Sequence, residues 1–139
     1  MRFGYNFYRQ SDTTGGFCWS YFLIMIKIRI ITMQHITLYK QIYPVQCQSL
    51  ANLGYKSLIN LRFDHESEGQ PDSQSILAGA TSAGLDYHHL PVNGDQINSQ
   101  TIEQFADLLK HCAKPVMVFC HSGGRAKRLY QSALVSGLL

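Results

Sequence analysis

A chain of 139 residues has the length of one ordinary domain, and its 45% hydrophobic content is enough to build a core. Charged residues make up 15%, with 12 Lys and Arg against 9 Asp and Glu for a net charge of +3. These values exclude a disordered chain, a collagen-like chain and a long charged coiled coil. No basic run exceeds Arg125, Lys127 and Arg128, so no nucleic-acid surface is expected. Cys18, Cys47, Cys112 and Cys120 form no C-x-x-C pair and no zinc-finger spacing. They read as reduced thiols of a cytoplasmic protein rather than a disulfide framework.

The first 32 residues are unlike the rest. Met1 to Gly16 is polar, and Phe17 to Ile26 is an apolar run (FCWSYFLIMI). A spanning helix needs about 20 apolar residues, and Lys27 and Arg29 interrupt this run too early, so no membrane association is expected. A long polar lead, following cations and no small-x-small cleavage site also argue against a signal peptide. Two readings remain. Ile24 to Ile31 alternates around Lys27 and Arg29 and forms an extra strand, or translation starts at Met25 or Met33. The second is preferred, which makes residues 1–32 a leader and residues 33–139 the domain.

From Met33 the chain alternates strand-like and helix-like segments. His35 to Tyr39 alternates and is β-branched, a strand. Pro44 to Leu53 carries Val45, Leu50, Ala51 and Leu53, has Pro in the first turn and stops at Gly54, a helix. Lys56 to Leu61 is a second strand, and Glu66 to Asp72 is a polar loop. Ser73 to Ala83 is a helix closed by Gly84, followed by a strand from Asp86 to Val92. Asn98 caps a helix in which Ile102, Phe105, Ala106 and Leu109 fall at helical spacing. Pro115 to Phe119 (PVMVF) is wholly apolar, as a buried parallel strand should be. The last helix shows Ala126, Leu129, Tyr130, Ala133 and Leu134 on one face. The order βαβαβαβα predicts a single α/β domain with a parallel sheet of about four strands flanked by helices.

Ligands in such sheets bind beyond the carboxyl ends of the strands. There the sequence places Cys120-His121-Ser122-Gly123-Gly124-Arg125, between the most apolar strand and a helix. Two glycines let backbone N–H groups turn inward as an anion cradle at a helix N-terminus. The same positive end favours the thiolate form of a cysteine. Arg125 adds a forked cation suited to a phosphate or sulfate-like oxyanion. A buried cysteine before a glycine turn is the bland alternative, but Gly and Arg at these offsets favour a working site.

Four segments carry a resemblance: Gln41 to Arg62 (QIYPVQCQSLANLGYKSLINLR), Glu68 to Pro71 (EGQP), Ala83 to Val92 (AGLDYHHLPV) and Val116 to Arg125 (VMVFCHSGGR). In order and spacing the stretch from Gln41 to about Leu134 resembles the phosphatase-like domain of beta-lactamase-hydrolase-like proteins. The resemblance implies the fold of cysteine-dependent tyrosine and dual-specificity phosphatases, with a catalytic cysteine and arginine at Cys120 and Arg125. Three positions depart from the phosphatase pattern. Phe119 stands where a histidine usually precedes the cysteine, and Ala126 stands where Ser or Thr usually follows the arginine. Four residues, not five, separate Cys120 from Arg125, a spacing shared with rhodanese-type sulfurtransferases.

Asp95, just past the strand ending LPV, lies where dual-specificity phosphatases keep an aspartic general acid. Cleavage of a phosphoester by a thiolate needs such a proton donor, and sulfur transfer does not. Composition alone also explains Asp95 as part of the turn Asn93-Gly94-Asp95. Of His88 and His89 at most one faces the site, and no metal site is expected. Arg62 and Asp64 read as a surface pair on the rim, where Arg62 could assist anion binding. Cys112 reads as a helix-buried thiol rather than a resolving partner of Cys120. The expected function is a cofactor-free, cysteine-dependent phosphatase-like hydrolase of a small anionic substrate. A sulfurtransferase with a Cys120 persulfide and a sulfane-sulfur donor is the rival, and a non-catalytic anion-binding module is the third reading.

Overall fold

The computed structural model describes Leu23 and residues 35–139. The expectations for a leader over residues 1–32, and for a strand at Ile24 to Ile31, lie outside the described residues. From His35 to Leu139 the chain is one compact unit. Its elements are β1 (Ile36–Tyr39), a 3-10 turn (Pro44–Gln46) running into α1 (Cys47–Asn52), β2 (Ser57–Asn60), α2 (Ser73–Ala83), β3 (Asp86–His89), α3 (Ser99–His111), β4 (Val116–Phe119) and α4 (Gly124–Val135). The four strands form one parallel sheet in the order β1-β4-β2-β3. Leu38, Val118, Ile59 and His88 stand side by side across it.

Strand alternation divides the core. Val116 and Val118 of β4 pack with Phe105 and Leu109 of α3 and with Ala126 and Leu129 of α4. Met117 and Phe119 pack on the other face with Cys47 and Leu50 of α1 and Ile76 and Ala80 of α2. Both faces of β4 are therefore covered, which is why every one of its residues is apolar and buried. β3 is an edge strand, and its polar residues Asp86 and His89 are exposed. Asp72 and Asn98 cap α2 and α3 by accepting from the Ser75 and Thr101 amides, and left-handed Gly84 ends α2.

Three sequence expectations need correction. The segment Pro44 to Leu53 opens as a 3-10 turn, and its Val45 and Leu53 are 87% and 77% exposed. The α1 helix is only six residues long, so one stripe, Cys47 and Leu50, reaches the core. Leu134 of α4 also faces outward, because the buried stripe runs Ala126, Leu129, Ala133. The third strand stops at His89 because the regular register ends at Leu90: the Val92 amide turns to Leu61 O, and Arg62 O, the next acceptor in line, is engaged by His89 Nε2. Leu90 and Val92 still donate to Asn60 O and Leu61 O at 2.9 Å each.

This topology places a switch point at the carboxyl end of β4. The chain leaves β1 and β2 towards α1 and α2, whereas it leaves β4, between them, towards α4 on the opposite face. Diverging connections at the carboxyl end of a central strand leave space for a ligand. Among the described residues no helix is long and apolar enough to cross a membrane.

Candidate active site

Cys120 follows directly on β4 and is 1% exposed. Its N–H donates to Tyr39 O at 3.4 Å, which continues the sheet by one residue. The Gly123 amide donates to Cys120 Sγ at 3.1 Å. That bond depends on Gly123 at φ 97°, the left-handed region in which a side chain is strained. Because α4 starts at Gly124, the sulfur sits at the positive end of a 12-residue helix. His121, Ser122 and Gly124 form the exposed rim, and His121 O accepts from the Gln41 amide at 3.2 Å. The loop is thereby tied to the segment that follows β1.

Arg125, in the first turn of α4, forks onto Glu66: Nη1 donates to Oε2 and Nη2 to Oε1, each at 2.8 Å. Nη1 also donates to Val92 O at 3.0 Å and Leu61 O at 3.4 Å. Among the described residues no acceptor engages its Nε, so that donor is uncommitted. Glu66 further accepts from Arg62 Nε at 3.0 Å and from the Phe63 amide at 2.8 Å. The bond from Arg125 first, then those from Arg62 and Phe63, outweigh the cost of partial burial and hold the Glu66 carboxyl at about 2. One carboxylate thus serves two arginines.

The expected Arg62–Asp64 pair is corrected by these contacts. Arg62 is only 3% exposed, and its remaining donors go to Gln41 Oε1 at 2.7 Å and Ser67 Oγ at 3.1 Å. A buried guanidinium needs hydrogen-bond partners and a counter-charge, and Glu66 rather than Asp64 supplies that charge. Asp64 instead accepts from the Ser73 amide at the start of α2. Glu66 was absent from the sequence expectations because it lay in a stretch read only as a polar loop. A carboxylate four residues after an arginine at a strand end was the available signal.

Asp95 is exposed and sits in the turn that composition implied: Asn93 Oδ1 accepts from the Asp95 amide and Asn93 O from the Gln96 amide, at 3.0 Å each. The turn lies against α4, whose Arg128 Nη1 donates to Gly94 O at 2.8 Å. The fold therefore brings the Asp95 turn, the Cys120 loop and Arg125 to one rim. His89 Nε2 lies 2.6 Å from Arg62 O and braces that backbone, while His88 projects from the other side of the strand. Cys112 precedes β4 and Cys120 follows it, and a four-residue strand of roughly 13 Å is too long for a disulfide to bridge. Burial pushes the Cys112 and Cys47 thiols up. Among the described residues no three His, Cys, Asp or Glu side chains converge on a metal position.

A polar cleft of about 360 Å³ adjoins the loop. It is lined by Lys40, Tyr43, Glu68 and His121 among others, and it lies beside Cys120 rather than over it, since His121 is the only loop residue in its wall.

Residues 27–135 match the family described as beta-lactamase hydrolase-like protein, phosphatase-like domain. The chain belongs to this family. A beta-lactamase hydrolase-like protein of Agrobacterium fabrum is 39% identical over 82 residues, which are 59% of this chain and 19% of that protein. The match thus spans less than a fifth of the length of that relative. Two solved structures, each described as a "putative phosphatase", share the fold of this phosphatase-like domain. The one from Neisseria meningitidis superposes with a TM-score of 0.66 at 32% identity, covering 69% of this chain and 68% of its own. The one from Shewanella putrefaciens gives 0.57 at 26% identity, covering 78% and 74%. This domain is therefore a phosphatase-like α/β unit.

Proposed function

We propose that the domain is a cysteine-dependent phosphatase acting on a small anionic phosphoester. The carrying observation is geometric: the Gly123 amide donates to Cys120 Sγ at the start of α4, which aims the sulfur at the place where phosphate oxygens can meet the loop amides. Cys120 Sγ attacks phosphorus, the S–P bond forms and the P–O bond of the ester breaks. Asp95 gives its proton to the departing oxygen. Arg125, held by Glu66, presents Nε to the equatorial oxygens together with the loop N–H groups of His121, Ser122 and Gly124, while the Gly123 amide stays on Cys120 Sγ. Water then attacks phosphorus, its proton passes to the Asp95 carboxylate, and the S–P bond breaks to return the thiolate and release phosphate. No step calls on a cofactor.

The four-residue spacing from Cys120 to Arg125 supports a second reading, sulfur transfer. There the thiolate takes a sulfur atom from a sulfane donor as a persulfide, and the anion that leaves needs no proton. Parallel assays separate the two. An active phosphatase hydrolyses aryl and alkyl phosphates and loses both activities in Cys120→Ser. Asp95→Asn should lower the alkyl phosphate rate by about 10²–10⁴-fold and spare an aryl phosphate with a good leaving group, because a weakly basic phenolate hardly needs the proton. Sulfur transfer from thiosulfate to cyanide, unaffected by Asp95→Asn and without ester hydrolysis, would establish the rival. Loss of both activities from the wild-type domain, with anion binding retained, would leave a binding module.

A further inference from the structure

The turn bearing Asp95 follows β3, and the loop bearing Cys120 follows β4, yet β2 lies between those strands. Sheet pairing therefore does not set the distance from acid to nucleophile. Two arginines on one face of α4 do. Arg125 donates to Val92 O at 3.0 Å and Arg128 donates to Gly94 O at 2.8 Å, so the helix that begins at the Cys120 loop grips the backbone of the acid turn at two carbonyls. The turn is a stiff unit, because Asn93 bonds to both the Asp95 and Gln96 amides. It also lies flush against the helix: a Cβ on Gly94 would stand 2.8 Å from Arg128 Nη2 and 3.2 Å from Arg125 Cγ. The Asp95 side chain is exposed and meets no hydrogen-bond partner among the described residues, so its placement comes from the backbone alone.

We infer that Arg128 is a positioning residue which, through Gly94 O, holds the Asp95 carboxyl at the leaving-group oxygen above Cys120. This rests on the phosphatase reading and adds to it the device that couples the two loops. Proton transfer needs heavy atoms about 2.6–3.2 Å apart, and a shift of about 1 Å costs up to about 10²-fold. The proton moves from Asp95 to the ester oxygen as the P–O bond breaks, so only esters that need that proton feel the displacement.

The test uses the full chain and three variants, Arg128→Ala, Gly94→Ala and Asp95→Asn. Arg128 is exposed and bonds a neutral carbonyl, so its loss leaves the core intact. Arg128→Ala should lower kcat on an alkyl phosphate by about 10-fold or more, part of the general-acid contribution, and change an aryl phosphate with a good leaving group less than about 2-fold. Gly94→Ala, whose Cβ would crowd the Arg128 guanidinium on the same face and push it off Gly94 O, should give the same split. Adding Arg128→Ala to Asp95→Asn should cost nothing more, because both act on one proton transfer. Amide hydrogen exchange at Asp95 and Gln96 should quicken in Arg128→Ala. Equal loss on both esters, no loss on either, full additivity with Asp95→Asn, or unchanged exchange would each overturn the inference while leaving the phosphatase reading in place. A wild-type chain inactive on both esters would instead overturn the phosphatase reading, and this inference with it.

Discussion

Glu66 shows how much of this site depends on a single side chain. Its carboxylate accepts both terminal nitrogens of Arg125 and the Nε of buried Arg62, so its removal would leave two cations without a counter-charge. Glu66→Gln keeps the shape and removes the charge, and it should cost roughly 1–3 kcal/mol of stability at neutral pH. Arg125 would also lose its brace, so under the proposed phosphatase function KM for a phosphoester should rise. The pH dependence has a definite sign. Folding lowers the carboxyl from 4.5 to about 2, so its contribution is complete above 4.5 and is lost as pH falls through about 2. Thermal unfolding of wild type and Glu66→Gln should differ by a constant gap at neutral pH and converge between pH 4.5 and 2. A gap that ignored pH would mean that charge is not what Glu66 supplies.

Among the elements, α2 is set by a close approach that its sequence does not advertise. Gly79 faces the 3-10 turn before α1, and a Cβ there would lie 2.9 Å from Pro44 O and 3.1 Å from Pro44 Cα. Both are backbone atoms, so little can give way. Alanine normally favours a helix over glycine by about 1 kcal/mol. Overpacking costs about 1–3 kcal/mol, so Gly79→Ala should destabilise the domain despite the better propensity. Ser82→Ala, on the exposed side of the same helix, is the control and should be neutral or slightly stabilising. A higher Tm for Gly79→Ala would show that α2 can slide away from the turn. The Pro44 turn leads out of the segment that binds the Cys120 loop through Gln41 N, so such a slide would also reach the site.

At the level of the whole molecule, His35 to Leu139 contains both halves of the core and the complete sheet of the described residues. A chain starting at Met33 should therefore unfold cooperatively, with the midpoint and any activity of the full chain. Cooperative unfolding of the full chain alone would show that residues 1–32 complete the fold.

Sequence alone determined the alternation of strands and helices, because strand burial, helix caps and terminal glycines are local. The apolar run at β4, the Asn98 cap and Gly84 each act within a few residues of themselves. It also placed Cys120, Gly123 and Arg125 together, since one loop and one helix start contain all three. Exposure of Val45, Leu53 and Leu134 was not legible, because a short helix or one extra apolar position cannot say which stripe meets the sheet. Strand order was equally hidden, and with it the switch point at the end of β4. Only the tertiary structure decided that Glu66 belongs to Arg125, 59 residues away, and that Arg128 reaches Gly94 O, 34 residues before it. Those contacts join loops from different strands, and side chains that meet only after the sheet has formed leave no periodic trace along the chain.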